Sequence, residues 1–314
     1  MSESQTSKVF QKNLTVLITG GSGLIGKYLT SDLLDSGYKV THLSRIANQS
    51  GNVKTYMWDP EKGMIDREAL VGIDFIIHLA GTNIGEKRWT GGRKEEIINS
   101  RVNSARLLDK TIKEMGIRLN AFITASATGF YGSDTSEKIF NENDEPSAGF
   151  LSEVCRQWEE AADLFADSGI RTVKIRTGIV LEKHDSALSK LMMPGRFGLL
   201  IQTGSGKQYM PWIHINDLCG IYLKAIEDSG MNGSYNAVAP QHITHSGFMH
   251  VLSKVMNRPL SPVNVPEFVL RFALGEMSDV ILKGSRVSSE KIIESGYSFQ
   301  FRTLEEALDN IVRG

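Results

Sequence analysis

Thr19-Gly20-Gly21-Ser22-Gly23-Leu24-Ile25-Gly26 is the stretch that decides how this chain is read. It follows a short apolar run, Leu14 to Ile18, of the kind buried in parallel sheets, and it opens a segment from Leu24 to Leu34 with helical apolar spacing, which Gly37 stops. A second strand-like run, Tyr38-Lys39-Val40-Thr41-His42-Leu43, comes next. Strand, glycine turn, helix and strand in that order form the context in which glycines at 20, 23 and 26 make a pyrophosphate cradle. Gly20 permits the tight turn, Gly23 lets backbone N–H groups approach a phosphate, and Gly26 lets the helix pack close to the sheet. Ser22, Leu24 and Ile25 then lie where the helix N-terminus meets the anion with unpaired donors and its dipole.

Working outward, the alternation continues. Strands are expected at Val53–Met57, Asp74–Leu79, Ala121–Thr124 and Arg171–Ile175, with helices over about Gly92 to Met115 and Leu151 to Asp167. This pattern predicts an α/β fold, a doubly wound parallel sheet of the Rossmann type, over residues 13–181. From Glu182 the rhythm breaks into a loop rich in Pro194, Gly195, Gly198, Gly204 and Gly206, followed by Trp212-Ile213-His214-Ile215-Asn216-Asp217. Short helices are then expected at Gly247–Met256, Val265–Leu274, Ser289–Ser295 and Thr303–Val312. Residues 182–314 thus read mostly as a smaller C-terminal substrate lobe, with 211–238 returning to the first domain, and residues 1–12 as a disordered tail.

Composition narrows the function classes. Lys+Arg is 35 against Asp+Glu 36, a net charge of -1, with no basic block, which argues against nucleic acid as the main partner. The longest apolar runs are far short of the roughly 20 residues a membrane span needs. Two cysteines, Cys155 and Cys219, make neither a disulfide framework nor a metal-ligand spacing. The polar start carries no secretory signal, so a reducing cytoplasm is expected. His242, His245 and His250 do not fit a helical metal pair, and no metal is assigned.

The end of the second strand separates two cofactors. An acidic residue there would hold a ribose 2′-OH, as in NAD sites; this chain has Ser44-Arg45 and no acid. Arg45 can grip a 2′-phosphate through paired charged hydrogen bonds, which selects NADP(H) over NAD. The plainer alternative is a surface arginine after a strand.

The glycine motif and the His78-Leu79-Ala80-Gly81 strand end resemble the extended short-chain dehydrogenases/reductases, and more narrowly their atypical "epimerase family" branch, the nucleoside-diphosphate-sugar epimerase-like NADP-binding proteins. Carrying the likeness are Leu79-Ala80-Gly81-Thr82-Asn83-Ile84, Arg88-Trp89-Thr90, Ser100-Arg101-Val102, Ser126-Ala127-Thr128-Gly129-Phe130-Tyr131-Gly132, Arg176-Thr177-Gly178-Ile179-Val180-Leu181, Pro211 to Asp217 and Gly284-Ser285-Arg286-Val287. The resemblance implies that Leu79 and Ala80 line the cofactor, and that Glu96, Arg101 and Val180 contact it. Arg101 also stands beside the inward apolar positions Ile97, Ala105 and Leu108, where a guanidinium needs an anion. That anion is either the cofactor or a structural carboxylate. Glu96 shares a polar helix face with Ser100 and Asn103, so a solvated face is its competing reading.

The usual Tyr-x-x-x-Lys pair of this superfamily, a proton donor and the lysine that lowers its pKa, is missing. Aligning on Glu159 puts Leu151 in the tyrosine place and Cys155 in the lysine place. Substitutes are few. Tyr131 lies just past the fifth strand, with Ser126 and Thr128 nearby, though a packing role for Tyr131 competes. Cys155 reads better as a small buried residue than as a nucleophile. Arg88 and Trp89 could form a flap over the nicotinamide or simply pack, and His214 could touch substrate while Asp217 caps the following helix. The expected activity is an NADP(H)-dependent oxidoreductase or epimerase-like reaction on a small molecule, with a non-catalytic NADP(H) sensor as the other reading. The resemblance leaves a homodimer open.

Overall fold

The computed structural model describes residues 12–46, 53–132 and 136–314; the expected tail lies almost wholly outside them. The amino-terminal half runs β1 (Thr15–Thr19), α1 (Leu24–Asp35), β2 (Lys39–Ser44), β3 (Lys54–Asp59), β4 (Met64–Ile65), β5 (Phe75–His78), α2 (Gly91–Met115), β6 (Ala121–Ala127), β7 (Ile139–Phe140), α3 (Phe150–Asp167), β8 (Thr172–Thr177) and β9 (Ile179–Leu181). There follow α4 (Ala187–Arg196), β10 (Trp212–His214), α5 (Ile215–Glu227), β11 (Gly233–Ala237), α6 (His245–Met256), α7 (Glu267–Leu274), α8 (Asp279–Leu282), β12 (Arg286–Val287), α9 (Glu290–Glu294) and α10 (Leu304–Arg313).

Among the described residues the main sheet has eight strands in the order β11-β8-β6-β5-β1-β2-β3-β4, parallel except for the antiparallel edge strand β4. Strand order reverses between β1 and β5, and it is the crevice outside the carboxyl ends of strands at such a switch point that binds ligands in doubly wound folds. Alternation along each strand fills both faces. Val16, Ile18, Phe75, Ile77 and Ile123 pack with Leu29 and Leu33 of α1 and Leu218, Ile221 and Tyr222 of α5. Leu17, Ile76 and Phe122 pack on the other face with Leu108 and Ile112 of α2 and Ala162 and Phe165 of α3. Burial on both faces explains why these strands read as continuous apolar runs.

The smaller lobe has its own core of Leu188, Trp212, Phe248, Leu252, Leu304 and Leu308, from α4, β10, α6 and α10. Its chain is interrupted by α5, which packs on the main sheet, and by β11, which belongs to it: β11 pairs with β8 from Gly233↔Val173 to Ala237↔Thr177. Three short features were not foreseen in the sequence, β4 and the pairs β9–β10 and β7–β12, each two or three residues long. Among the described residues no helix is long and apolar enough to cross a membrane.

Candidate functional site

The glycine turn has the dimensions of a cradle. Gly20 has φ +73°, open to glycine without strain, and a Cβ there would stand 3.1 Å from the Ala80 amide nitrogen. On Gly26 a Cβ would come within 2.5 Å of the Gly20 carbonyl oxygen and 2.6 Å of Gly21 Cα. The turn is closed by Gly23 N–H donating to the Gly20 carbonyl at 3.0 Å. No side chain caps α1 at Gly23, so the donors of its first turn, at Leu24, Ile25 and Gly26, stay available to an anion, with Ser22 exposed beside them. Gly21 was not singled out from sequence. Its backbone lies against the His42 ring, 2.6 Å from where a Cβ would be, and His42 Nε2 contacts Thr30 Oγ1 at 2.9 Å.

The β1–β2 register sets Thr19 beside Leu43, which brings Ser44-Arg45 to the same edge of the sheet as the cradle. Arg45 is exposed and has no ion-pair partner among the described residues; Ser44 Oγ accepts from the Ile46 amide at 3.3 Å. On the other side, Leu79 and Ala80 leave β5 half-buried and lie against Gly20.

Arg101 is 9% exposed and sits under Gly81, whose Cβ would be 2.9 Å from its Cζ. Its Nη1 donates to the Thr82 and Ile97 carbonyls at 3.1 and 2.9 Å, and its guanidinium lies 4.8 Å from the Trp158 ring centre. Its buried Nε has no hydrogen-bond partner, and no carboxylate pairs with the group among the described residues. Burial lowers its pKa to about 10. A structural ion pair therefore does not account for this cation. Glu96 is exposed and pairs with Arg93 Nη1 at 2.7 Å, which holds its pKa below the ordinary carboxylate range. Val180 is half-buried in β9, paired with Ile213 of β10.

The candidates for chemistry are tied up. Tyr131 is fully buried; its hydroxyl donates to Asn236 Oδ1 at 2.7 Å and accepts from Arg176 Nη1 at 2.9 Å, and burial pushes its pKa up to about 12. Ser126 Oγ donates to Glu159 Oε1 at 2.7 Å, while Thr128 is half-buried at the start of the turn after β6. Glu159 and Arg176, neither singled out as partners from sequence, are both buried and bound through two hydrogen bonds. Leu151 and Cys155 face Gly129, whose Cβ would lie 3.4 Å from Leu151 Cβ and 3.6 Å from Cys155 Sγ. Burial raises the Cys155 thiol to about 12, so it is no nucleophile as it stands.

Trp89 is packed, not hinged as a flap. It is 9% exposed, its Nε1 donates to the Ile84 carbonyl at 2.8 Å, and its ring meets Phe150 edge-on at 4.8 Å. Arg88 is exposed and lies against Gly275 of the smaller lobe. His214 is also structural in its contacts: it caps α5 by accepting from the Asn216 amide at 3.1 Å, and its ring lies tilted against Phe301 with centres 3.9 Å apart. The expected cap, Asp217, instead accepts from the Gln300 and Phe301 amides at 2.7 and 3.0 Å and anchors the carboxyl-terminal segment. Capping by His214 is hard to read from sequence because histidine is outside the usual set of capping residues.

Comparison with known proteins agrees with this geometry. Residues 16–237 match the NAD dependent epimerase/dehydratase family, and residues 265–311 match a domain of unknown function, DUF1731. An epimerase family protein of Bacillus subtilis is 35% identical, over 95% of this chain and 98% of that one. One from Mycobacterium leprae is 33% identical over 95% of each. Among solved structures, the human epimerase family protein SDR39U1 (isoform 2) with NADPH superposes with a TM-score of 0.85 at 30% identity, covering 96% of this chain and 99% of that one.

Proposed function

Because the chain belongs to the NAD-dependent epimerase/dehydratase family, we propose that it is an NADP(H)-dependent oxidoreductase or epimerase-like enzyme acting on a small molecule. The observation that carries this reading is the open cradle at Gly20, Gly23 and Gly26, with the exposed Arg45, which has no ion-pair partner among the described residues, at the neighbouring strand end. The residues fit the dinucleotide. Uncapped donors of α1 suit its diphosphate, and Arg45 suits a 2′-phosphate, where a carboxylate would repel it. Arg101, buried with an unpaired Nε, suits an anionic or hydroxyl group. That the human relative was crystallised with NADPH supports the same choice. Bound NADP(H) would supply a hydride acceptor or donor.

This chain's own contribution is to hold and orient. Leu79 and Ala80 wall the crevice against Gly20, and Trp89 with Phe150 excludes water beside Leu151. Leu151 has no proton to give and burial keeps the Cys155 thiol un-ionised, so in an enzyme the proton passes through a non-standard group or water. A nucleotide sugar is one substrate class the family resemblance suggests. The same apolar pair favours a second reading, an NADP(H)-binding sensor without catalysis.

One experiment separates these readings. NADPH deuterated at one face of C4 is incubated with the protein and a panel of carbonyl compounds and nucleotide sugars. Deuterium in a product establishes hydride transfer; retention of all label across the panel, with NADPH bound, favours the sensor. A larger thermal shift with NADH than with NADPH would overturn the cofactor assignment.

A further inference from the structure

Beneath the crevice, three buried side chains from three elements form one hydrogen-bonded line. Thr19 ends β1, His78 ends β5, and Ser104 lies in α2 one turn after Ser100 and Arg101. All three are fully buried. Thr19 Oγ1 is 2.7 Å from His78 Nδ1, and His78 Nε2 is 3.1 Å from Ser104 Oγ.

Counting protons leaves one arrangement. Thr19 Oγ1 accepts from the Leu79 and Ala80 amides, both at 3.2 Å, so its single proton has only His78 Nδ1 to go to. At the other end, Ser104 donates to the Ser100 or Arg101 carbonyl, each at 2.8 Å, so its oxygen receives the proton on His78 Nε2. Placing the proton on Nδ1 would leave the buried Thr19 hydroxyl without an acceptor. An imidazolium would do the same and add a charge near Arg101, inside a wall made by Trp58, edge-on at 6.4 Å, and Phe122, stacked at 5.8 Å. Burial accordingly depresses the His78 pKa to about 4.

Each end of this line meets a wall of the crevice. Thr19 holds the Leu79 and Ala80 amides, the segment against which Gly20 packs. Ser104 bonds the backbone of the α2 turn that carries Arg101. We propose that His78 is a positioning residue for the cofactor: as the neutral Nε2–H tautomer it locks the Leu79–Ala80 wall to the Arg101 turn through Thr19 and Ser104. This rests on the NADP(H) reading above.

The test has two arms. In protein labelled with 15N at histidine and free of cofactor, ring NMR is expected to show His78 protonated on Nε2 and bare on Nδ1 throughout about pH 6 to 8. An Nδ1–H tautomer or a charged ring overturns the proposal. In the second arm, NADPH dissociation constants are measured for Thr19→Ser, which keeps the hydroxyl, and Thr19→Val, which removes it at nearly the same volume. Thr19→Ser is expected within about twofold of the parent, and Thr19→Val about tenfold weaker, the scale of one net hydrogen bond. Equal affinities for the two variants, both folded by circular dichroism, overturn the proposal. If Thr19→Val fails to fold, the tautomer alone decides. Absence of NADPH binding by the unmutated protein overturns the cofactor reading, and is distinguished because it needs no variant.

Discussion

Glu159 and Arg176 face each other across the gap between α3 and β8 with both carboxylate oxygens engaged, Nε to Oε1 at 2.8 Å and Nη2 to Oε2 at 2.9 Å. Around them Ser126, Tyr131 and Ser234 bond to one partner or the other, and the Phe130 ring lies 3.5 Å from the guanidinium carbon. A buried pair with its remaining valences filled is costly to break on one side, because the survivor is left charged and unpaired. Glu159→Ala is expected to destabilise the protein by about 3–5 kcal/mol in denaturant unfolding. Replacing both partners by apolar residues should cost less than this single change; a costlier double variant would refute the argument.

In the proposed reading, Arg45 makes the cofactor choice. Arg45→Asp is expected to weaken NADPH binding about a hundredfold, since a grip is replaced by repulsion, and to leave NADH binding within a few-fold. Isothermal titration with both nucleotides reads this directly. Unchanged NADPH affinity would remove Arg45 from the site.

Gly26 tests the cradle independently of charge. A methyl at this position meets the Gly20 carbonyl oxygen and the Gly21 backbone, neither of which can swing away as a side chain would. Gly26→Ala is expected to abolish NADPH binding and to cost about 1–3 kcal/mol of stability, the range for overpacking. Gly63→Ala serves as the contrast, because its Cβ would meet nothing within 4 Å, although its φ of +63° adds some backbone strain.

Acid should weaken the fold through its buried imidazoles. Burial holds His78, His214 and His245 each near a pKa of about 4, against 6.5 for the free side chain. Between those values the unfolded chain binds more protons than the folded one, so the stability present above about pH 6.5 is lost as pH falls toward 4. Thermal melts are expected to show Tm lower by at least about 5 °C at pH 5 than at pH 7.5. A flat profile would contradict the neutral buried rings.

The sheet and the glycine cradle were legible because their signals are local. Val16 to Ile18 and Phe75 to Ile77 are apolar without a break, as strands covered on both faces must be, and the cradle glycines sit within seven residues of one another. What escaped the sequence depends on partners far apart in the chain. Asp217 answers amides 83 and 84 residues away, and nothing near either end announces it. Arg101 was readable as a buried cation in want of an anion, yet only the structure showed carbonyls and the Trp158 ring around it in place of a carboxylate. Two-residue strands such as β7 and β12 carry too few side chains to leave a period.

The path of the chain through β11 limits how such a protein can be rebuilt. The smaller lobe is entered after β9, abandoned for α5 and β11, and entered again at α6. A cut after residue 182 would strip the large sheet of an outer strand and bare the edge of β8, an invitation to edge-to-edge association. Grafting a foreign smaller lobe onto this scaffold therefore needs splice points on both sides of the returning segment. A single-junction chimera is expected to come out of the cell as aggregate.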